Sequence, residues 1–290
     1  MNFVHSSTKP GRYANPSNLQ LLIMSLTKKV ALITGSTSGI GLAIATTLAS
    51  HGITGLILNG LGTPDQISTL ISKLTAKYPS CRVIHHPADM SKPAEISSMI
   101  ADVIDTFGHL DILVNNAGIQ HVAPTEEFGD DAWDRVIAIN LSSVFHTTKH
   151  VLPHMRREEW GRIVNVASVH GVVASPNKAA YVAAKHGVIG LTKTVALETA
   201  ALGPSIEITC NAIAPGWVLT PLVEQQLQVN ASRDGITLEE AKRRLVSEKQ
   251  PMARFTRPED LGEMVAFLCG EAGGTVTGSV WTMDGGWTAQ

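Results

Sequence analysis

One short passage, SVHGVVASPNKAAYVAAK from Ser168 to Lys185, holds Ser168, His170, Lys178, Tyr181 and Lys185, side chains of types that move protons or carry charge. Tyr181 and Lys185 stand four residues apart, so on a helix they share a face. An ammonium beside a phenol lowers the phenol's pKa from its ordinary value near ~10 and lets it act as a base closer to neutral pH. Ser168 follows an apolar run, where a strand would deliver its hydroxyl to the same place. Such a set suits proton exchange with an alcohol or carbonyl oxygen. A polar helix face carrying an accidental Tyr–Lys pair is the competing reading, and the surrounding elements decide between them.

The upstream elements would bring a second reactant there. VALIT, Val30–Thr34, is a buried-strand run followed at once by GSTSGIG and the helical pattern LAIATTLAS. Gly35, Gly39 and Gly41 let the chain turn tightly and lie close against a pyrophosphate, and the helix N-terminus offers free N–H groups and a positive dipole end. A glycine trio alone is weak evidence; strand, glycine loop and helix in this order form a dinucleotide-binding pattern. The next strand, GLILN, ends at Asn59, where such folds place an acid for the adenosine ribose or an Arg or Lys for a 2′-phosphate. The tip here reads Asn59-Gly60-Leu61-Gly62, with neither acid nor base, which favours NAD over NADP.

Thr63 and Pro64 then open a helix as N-cap and first-turn proline. RVIHH makes a third strand with Asp89 beyond it, either an acceptor for the adenine amino group or a plain turn aspartate. A helix over Pro93–Phe107 leads to the strand DILVNNAG, whose Asn115–Gly118 end is polar and small where it opens on the cofactor crevice. Strands alternating with helices through short connections predict a single α/β domain, a Rossmann-type doubly wound parallel β-sheet with helices on both faces.

Composition removes several alternatives. At 290 residues and 44% hydrophobic content the chain can bury a large core. A net charge of −2 with no basic cluster speaks against nucleic acid or a membrane surface as partner. Cys81, Cys210 and Cys269 form no CxxC pair, which suits a reducing compartment without a metal or disulfide framework. No apolar run approaches the ~20 residues that span a bilayer, so no membrane insertion is expected. Residues 1–25 read as a flexible, non-catalytic extension before a domain over 26–290. That suits a cytoplasmic location, or the mitochondrial matrix if the extension is a transit peptide.

TGSTSGIG, NNAG, Asn140 within INLSSVF, Ser168, Tyr181-x-x-x-Lys185 and Ala214-Pro215-Gly216 occur in an order and spacing that resembles the short-chain dehydrogenases/reductases, from about Lys28 to the C-terminus. The resemblance implies a one-domain fold, assembly as a homotetramer, and a catalytic set of Asn140, Ser168, Tyr181 and Lys185. In that set Tyr181 is the general acid/base, and Ser168 orients and polarises the substrate oxygen. Lys185 binds the nicotinamide ribose and lowers the Tyr181 pKa, while Asn140 holds a water in the proton relay. The dinucleotide would lie along Gly35, Thr37, Ser38, Gly39, Ile40, Gly41, Leu61, Asp89, Met90, Asn116, Pro215, Gly216 and Val218, and against Tyr181 and Lys185. Asn140 also has a reading of its own. An amide interrupting the apolar helix around WDRVIAINLSSVFHTTKHVL is awkward unless something polar needs it, a satisfied structural Asn being the alternative.

Four polar residues flank the catalytic set. Gln120 lies just past the fourth strand, His170 two residues after Ser168, and Lys178 three before Tyr181, in a first helical turn. Gln226 lies in the segment that covers the substrate in the family. Each of these alone reads as an ordinary surface residue; together, one ammonium, one imidazole and two amides at one mouth would make a carboxylate receptor for a small anionic substrate. These residues, with Trp217 and with Trp287 in DGGWTAQ, resemble the branch of the family that oxidises a short 3-hydroxy acid. There the matching positions hold the carboxylate, with tryptophans near the pocket. A 3-oxoacyl-thioester reductase of the same family is the nearest alternative, and it would leave Lys178 without purpose. A non-catalytic dinucleotide-binding interaction protein would not need all four catalytic residues. The stretch from about 218 to 250 carries a charged helix, TLEEAKRRLVSEK, with a capping-box pattern at Thr237 and Glu240, and is placed to close over substrate. No metal-ligand cluster is visible.

Overall fold

A computed structural model describes residues 26–290, so the extension expected over 1–25 lies outside the described residues. The apolar runs become seven parallel strands: β1 Val30–Ile33, β2 Gly55–Asn59, β3 Arg82–His86, β4 Ile112–Asn115, β5 Trp160–Val166, β6 Glu207–Pro215 and β7 Val280–Met283. They form one sheet in the order β3-β2-β1-β4-β5-β6-β7. Every residue of β1, β2 and β4 is buried, as expected when helices cover both faces of a parallel sheet.

The period-two alternation of strand side chains splits the core in two. Ala31, Ile33, Leu56 and Leu58 pack with Ile44 and Leu48 of α1 (Gly39–Ser50) and with Leu261 and Val265 of α9 (Pro258–Cys269). Val30, Leu32 and Ile57 point the other way. They meet Ile96, Met99 and Val103 of α3 (Pro93–Phe107), Val151 and Met155 of α5 (Ser143–Arg157), and Val195 and Ala196 of α6 (Ala179–Ala200). The three cysteines are free and buried. Among the described residues no helix is long and apolar enough to cross a membrane.

Local signals act as their chemistry dictates, with two exceptions. Thr63 caps α2 (Pro64–Lys77), and with Gln66 it forms a full reciprocal capping box. Thr237 caps α8 (Leu238–Ser247) by accepting the Glu240 N–H, but the expected return bond is missing because the Glu240 carboxylate pairs with Arg243 and Arg244 instead. The long helix expected through WDRVIAINLSSVFHTTKHVL is in fact α4 (Asp130–Ile137) and α5 joined by a wider π turn over Ala138–Ser142. Between β6 and α9, helix α7 (Pro221–Asp234) and α8 share a small apolar cluster of Leu227, Ala231 and Ala241, separate from the two sheet cores. The root of this segment is closed by a bridge between Val218 and Thr256.

Candidate active site

The carboxyl ends of β1 and β4 lie side by side at the point where strand order reverses, which is where open α/β sheets hold ligands. The glycine loop crosses this point. Gly35 and Gly39 take φ of +61° and +57°, a region that side-chain-bearing residues avoid. A Cβ on Gly41 would run into the Gly35 carbonyl and the Asn116 amide. That amide donates to the carbonyls of Thr34 and Gly35 at 2.9 and 2.8 Å, so Asn116 pins the loop to β4. Helix α1 then starts at Gly39 with no side-chain cap on its N-terminus and no acid in its first turn. An uncapped helix start on a glycine turn fits a pyrophosphate.

Asn59 does not face outward at the tip of β2. It is 1% exposed; its amide donates to the carbonyls of His86 and Ala88 and its oxygen accepts the Gly35 N–H. Leu61 is left standing in solvent at 93% exposure, its carbonyl held by the Thr37 hydroxyl at 2.8 Å. No Lys or Arg is bonded to this tip among the described residues; His85 reaches the Gly60 carbonyl at 3.0 Å, a neighbour that β2 alone did not reveal. Asp89 is folded into a turn, accepting from the N–H and hydroxyl of Ser91, and these bonds hold its carboxyl below the usual range. Met90 and Val218, expected along the dinucleotide, send their side chains into the cores, and Ile40 packs against one of them. They are left with backbone atoms to offer. Pro215 closes β6 and Gly216 follows it.

Further along the same edge, β5 ends at Val166 and delivers Ser168, whose hydroxyl accepts the His170 N–H at 3.2 Å. Helix α6 begins at Ala179, which places Tyr181 and Lys185 on one face of its first turns. Lys178 is the residue before the helix rather than part of its first turn. The Lys185 ammonium donates to the Val166 carbonyl at 2.7 Å and lies 5.6 Å from the Tyr181 ring centre. Burial pushes its pKa down to about 8. The expected lowering of the Tyr181 pKa is not found: burial raises it, and hydrogen bonding with Ser168 offsets this only in part. Asn140, fully buried in the π turn, accepts the Ile119 N–H and donates to the Ile119 carbonyl, both at 2.9 Å.

Of the four expected carboxylate ligands, the structure brings together two. Lys178 Nζ lies 3.5 Å from His170 Nε2. An ammonium only donates, so that nitrogen accepts and the imidazole is neutral with its proton on Nδ1. Nδ1 faces the backbone of Val173 without reaching hydrogen-bond geometry. No carboxylate pairs with the half-buried Lys178 among the described residues, and burial lowers its pKa. Aromatic rings close the space: Trp287 meets His170 edge-on at 5.4 Å, Trp217 lies 6.2 Å from Trp287, and Lys178 sits 5.8 Å over Trp217. Gln120 is exposed, and Gln226 is exposed on α7 beside Gln225, Val229 and Asn230; neither is bonded to Lys178 or His170. A solvent-facing loop end and a separately packed helix do not force either amide inward.

Burial, and secondly the Lys178 charge, push the His170 pKa down to about 4. The unfolded chain takes up a proton below the ordinary value of 6.5 that the folded chain refuses. Stability is therefore complete above that pH and declines as pH falls through 4, by about 3 kcal/mol at most. His170→Gln should flatten urea-unfolding free energy measured between pH 7 and 4 by a comparable amount; an unchanged slope would contradict the assignment.

The comparisons agree with this geometry. The short chain dehydrogenase family model matches residues 29–231. The chain is 54% identical over 265 residues to the D-beta-hydroxybutyrate dehydrogenase of Cupriavidus necator, covering 91% of this chain and 100% of that one. It is 53% identical over 262 residues to the D-beta-hydroxybutyrate dehydrogenase of Rhizobium meliloti, covering 90% and 99%. Among solved structures, L-sorbose reductase from Gluconobacter frateurii, complexed with NADPH and L-sorbose, superposes with a TM-score of 0.86 at 30% identity, over 92% of this chain and 99% of that one. A glycine loop at the switch point, Ser168 facing a Tyr–Lys helix, and identity along nearly the whole domain thus have one common explanation: the chain belongs to the short-chain dehydrogenase family, oxidoreductases that use a nicotinamide dinucleotide.

Proposed function

We propose that the chain is an NAD-dependent dehydrogenase interconverting (R)-3-hydroxybutyrate and acetoacetate. The observation that carries the substrate assignment is Lys178, three residues before Tyr181: a half-buried ammonium with no acidic partner among the described residues, tied to the neutral His170 imidazole. An unpaired cation in a partly desolvated pocket is costly and is compensated by an anion that arrives from solution. The two relatives at 53–54% identity bear the name of an enzyme for such an acid.

The glycine loop, Thr37, Leu61, Asp89 and Asn116 would hold the dinucleotide, with Lys185 at the nicotinamide ribose. When bound, the dinucleotide supplies the hydride acceptor. Tyr181 takes the hydroxyl proton from C3, Ser168 holds and polarises that oxygen, and Asn140 supports the proton relay to solvent. Lys178 and His170, joined by Gln120 and Gln226 when residues 218–250 close, anchor the carboxylate so that binding energy aligns C3. Trp217 and Trp287 wall the pocket beside the Lys178–His170 pair. NAD is favoured because no Lys or Arg among the described residues is bonded to the Leu61 tip, where a 2′-phosphate would need one. A homotetramer and a cytoplasmic location complete the reading.

Absorbance of the reduced cofactor tests it directly. The D isomer with NAD should turn over, the L isomer should not, and NADP should be at least about tenfold less efficient, 1.4 kcal/mol. Turnover confined to 3-oxoacyl thioesters with NADPH would replace this reading with the reductase alternative.

A further inference from the structure

Gln250 belongs to neither the proton relay nor the carboxylate receptor, yet it is 1% exposed and both ends of its amide are engaged. The oxygen accepts the backbone N–H of Trp217, and the nitrogen donates to the Arg254 carbonyl at 2.7 Å. Its own N–H closes the turn after α8 on the Val246 carbonyl at 2.8 Å. Three chain segments meet around this side chain. A Cβ on Gly216 would crowd the amide oxygen at 2.5 Å, and one on Gly285 would stand 3.0 Å from its nitrogen. The Gly216 N–H bonds the Met283 carbonyl, the Met252 N–H bonds that of Gly285, and the Thr256 N–H bonds that of Trp217. Gln250 therefore sits where the returning end of the covering segment meets both its own start and the C-terminal turn.

An apolar side chain of similar length would fill this space equally well. What it could not do is hold the Trp217 N–H and the Arg254 carbonyl, two partly sheltered backbone groups that only the buried amide of Gln250 ties together. The residue so held is the one whose ring lies under Lys178 and beside Trp287. Asp284 fixes the Trp287 turn in a parallel way, accepting the N–H groups of Gly286 and Thr288. We infer that Gln250 is a positioning residue, a latch joining the end of the covering segment to the backbone of Trp217, and that it thereby holds the aromatic wall against the Lys178–His170 pair. For its substrate this rests on the proposed function; for its mechanics it does not.

Gln250→Met keeps the length of the side chain and removes both hydrogen bonds. Hydrogen–deuterium exchange on the full chain without substrate should show the Trp217 amide and the α8 amides exchanging at least about tenfold faster, with β1, β4 and β5 unchanged. Gln250→Glu, which keeps an acceptor for Trp217, should preserve protection at that amide. In kinetics, KM for (R)-3-hydroxybutyrate should rise about tenfold or more, kcat should fall less than about threefold, and the Kd for NAD should not move. In a Trp217→Ala background the Gln250→Met change should add nothing to KM. An exchange increase spread evenly over the sheet, a parallel loss of NAD affinity, or full additivity with Trp217→Ala would make Gln250 an ordinary core residue and overturn the inference. Should the wild-type chain fail to oxidise the acid, the proposed substrate falls, and the exchange pattern still decides for or against the latch.

Discussion

Tyr181→Phe should bind the dinucleotide as the wild type does and lose turnover of the hydroxy acid by about 10³-fold or more. Only the phenolic oxygen is removed; the ring keeps its edge-on contact with His170 at 6.2 Å, so the pocket keeps its shape. A positioned acid/base contributes roughly 10²–10⁴-fold, and the upper part of that range applies where no second group can substitute. Ser168 has no basicity to offer, and Lys185 is held as a donor against the Val166 carbonyl at 2.7 Å. Because burial raises the Tyr181 pKa, kcat/KM for alcohol oxidation should climb with pH above neutrality, while the reverse reduction should decline. The Lys185 ammonium, near 8, titrates within the same interval, so the profile reports the pair rather than either group alone. Stopped-flow turnover beside fluorescence titration with NAD separates the outcomes. Residual activity within tenfold of wild type would place the base elsewhere.

Lys178→Ala should cost about 10²-fold in kcat/KM for the hydroxy acid, the worth of a charged hydrogen bond of about 1.5–3 kcal/mol made in a sheltered site. NAD affinity should not change. A secondary alcohol of the same size without a carboxylate supplies the control, since its poor turnover should be nearly indifferent to the substitution. Equal losses on acid and neutral alcohol would show that Lys178 serves the architecture of the pocket rather than its charge. The thermal midpoint should stay level or rise, because the substitution removes a partly buried cation that has no acidic partner among the described residues. Greater stability with poorer catalysis is the behaviour expected of a charge retained for a ligand.

Much of this arrangement was legible in the residues themselves. The bounds of β2 follow from an apolar run ended by Asn-Gly, those of α3 from a first-turn proline and helical apolar spacing, and Thr63-Pro64 announces α2 in two residues. Tyr181 and Lys185 could be placed on one face because helical spacing is a local property. What escaped depends on partners far along the chain. The Tyr181 pKa direction is set by burial, which no spacing records. Asn59 stands at the sequence position of a ribose ligand, yet its amide is consumed by the third strand. Gln120 and Gln226 were grouped with Lys178 on chemical type, and the fold leaves both in solvent. Gln250 offered no signal, because a glutamine before a proline looks like any loop amide until Trp217 is folded against it.

The π turn at Ala138–Ser142 sets the rotational phase of everything after it. Val136, Asn140 and Val144 are all buried and spaced four apart. A regular α-helix advances each such step by about 40° off line, so over the two steps these residues would wind away from a common wall. The wider turn absorbs that drift and lets an amide stand in line between two apolar neighbours. Losing one residue from this stretch would restore a regular helix and swing Asn140 by about 100° relative to α5, away from the Ile119 backbone that now holds it. Chain length within that single turn, as much as the identity of the asparagine, keeps the amide at the mouth of the crevice.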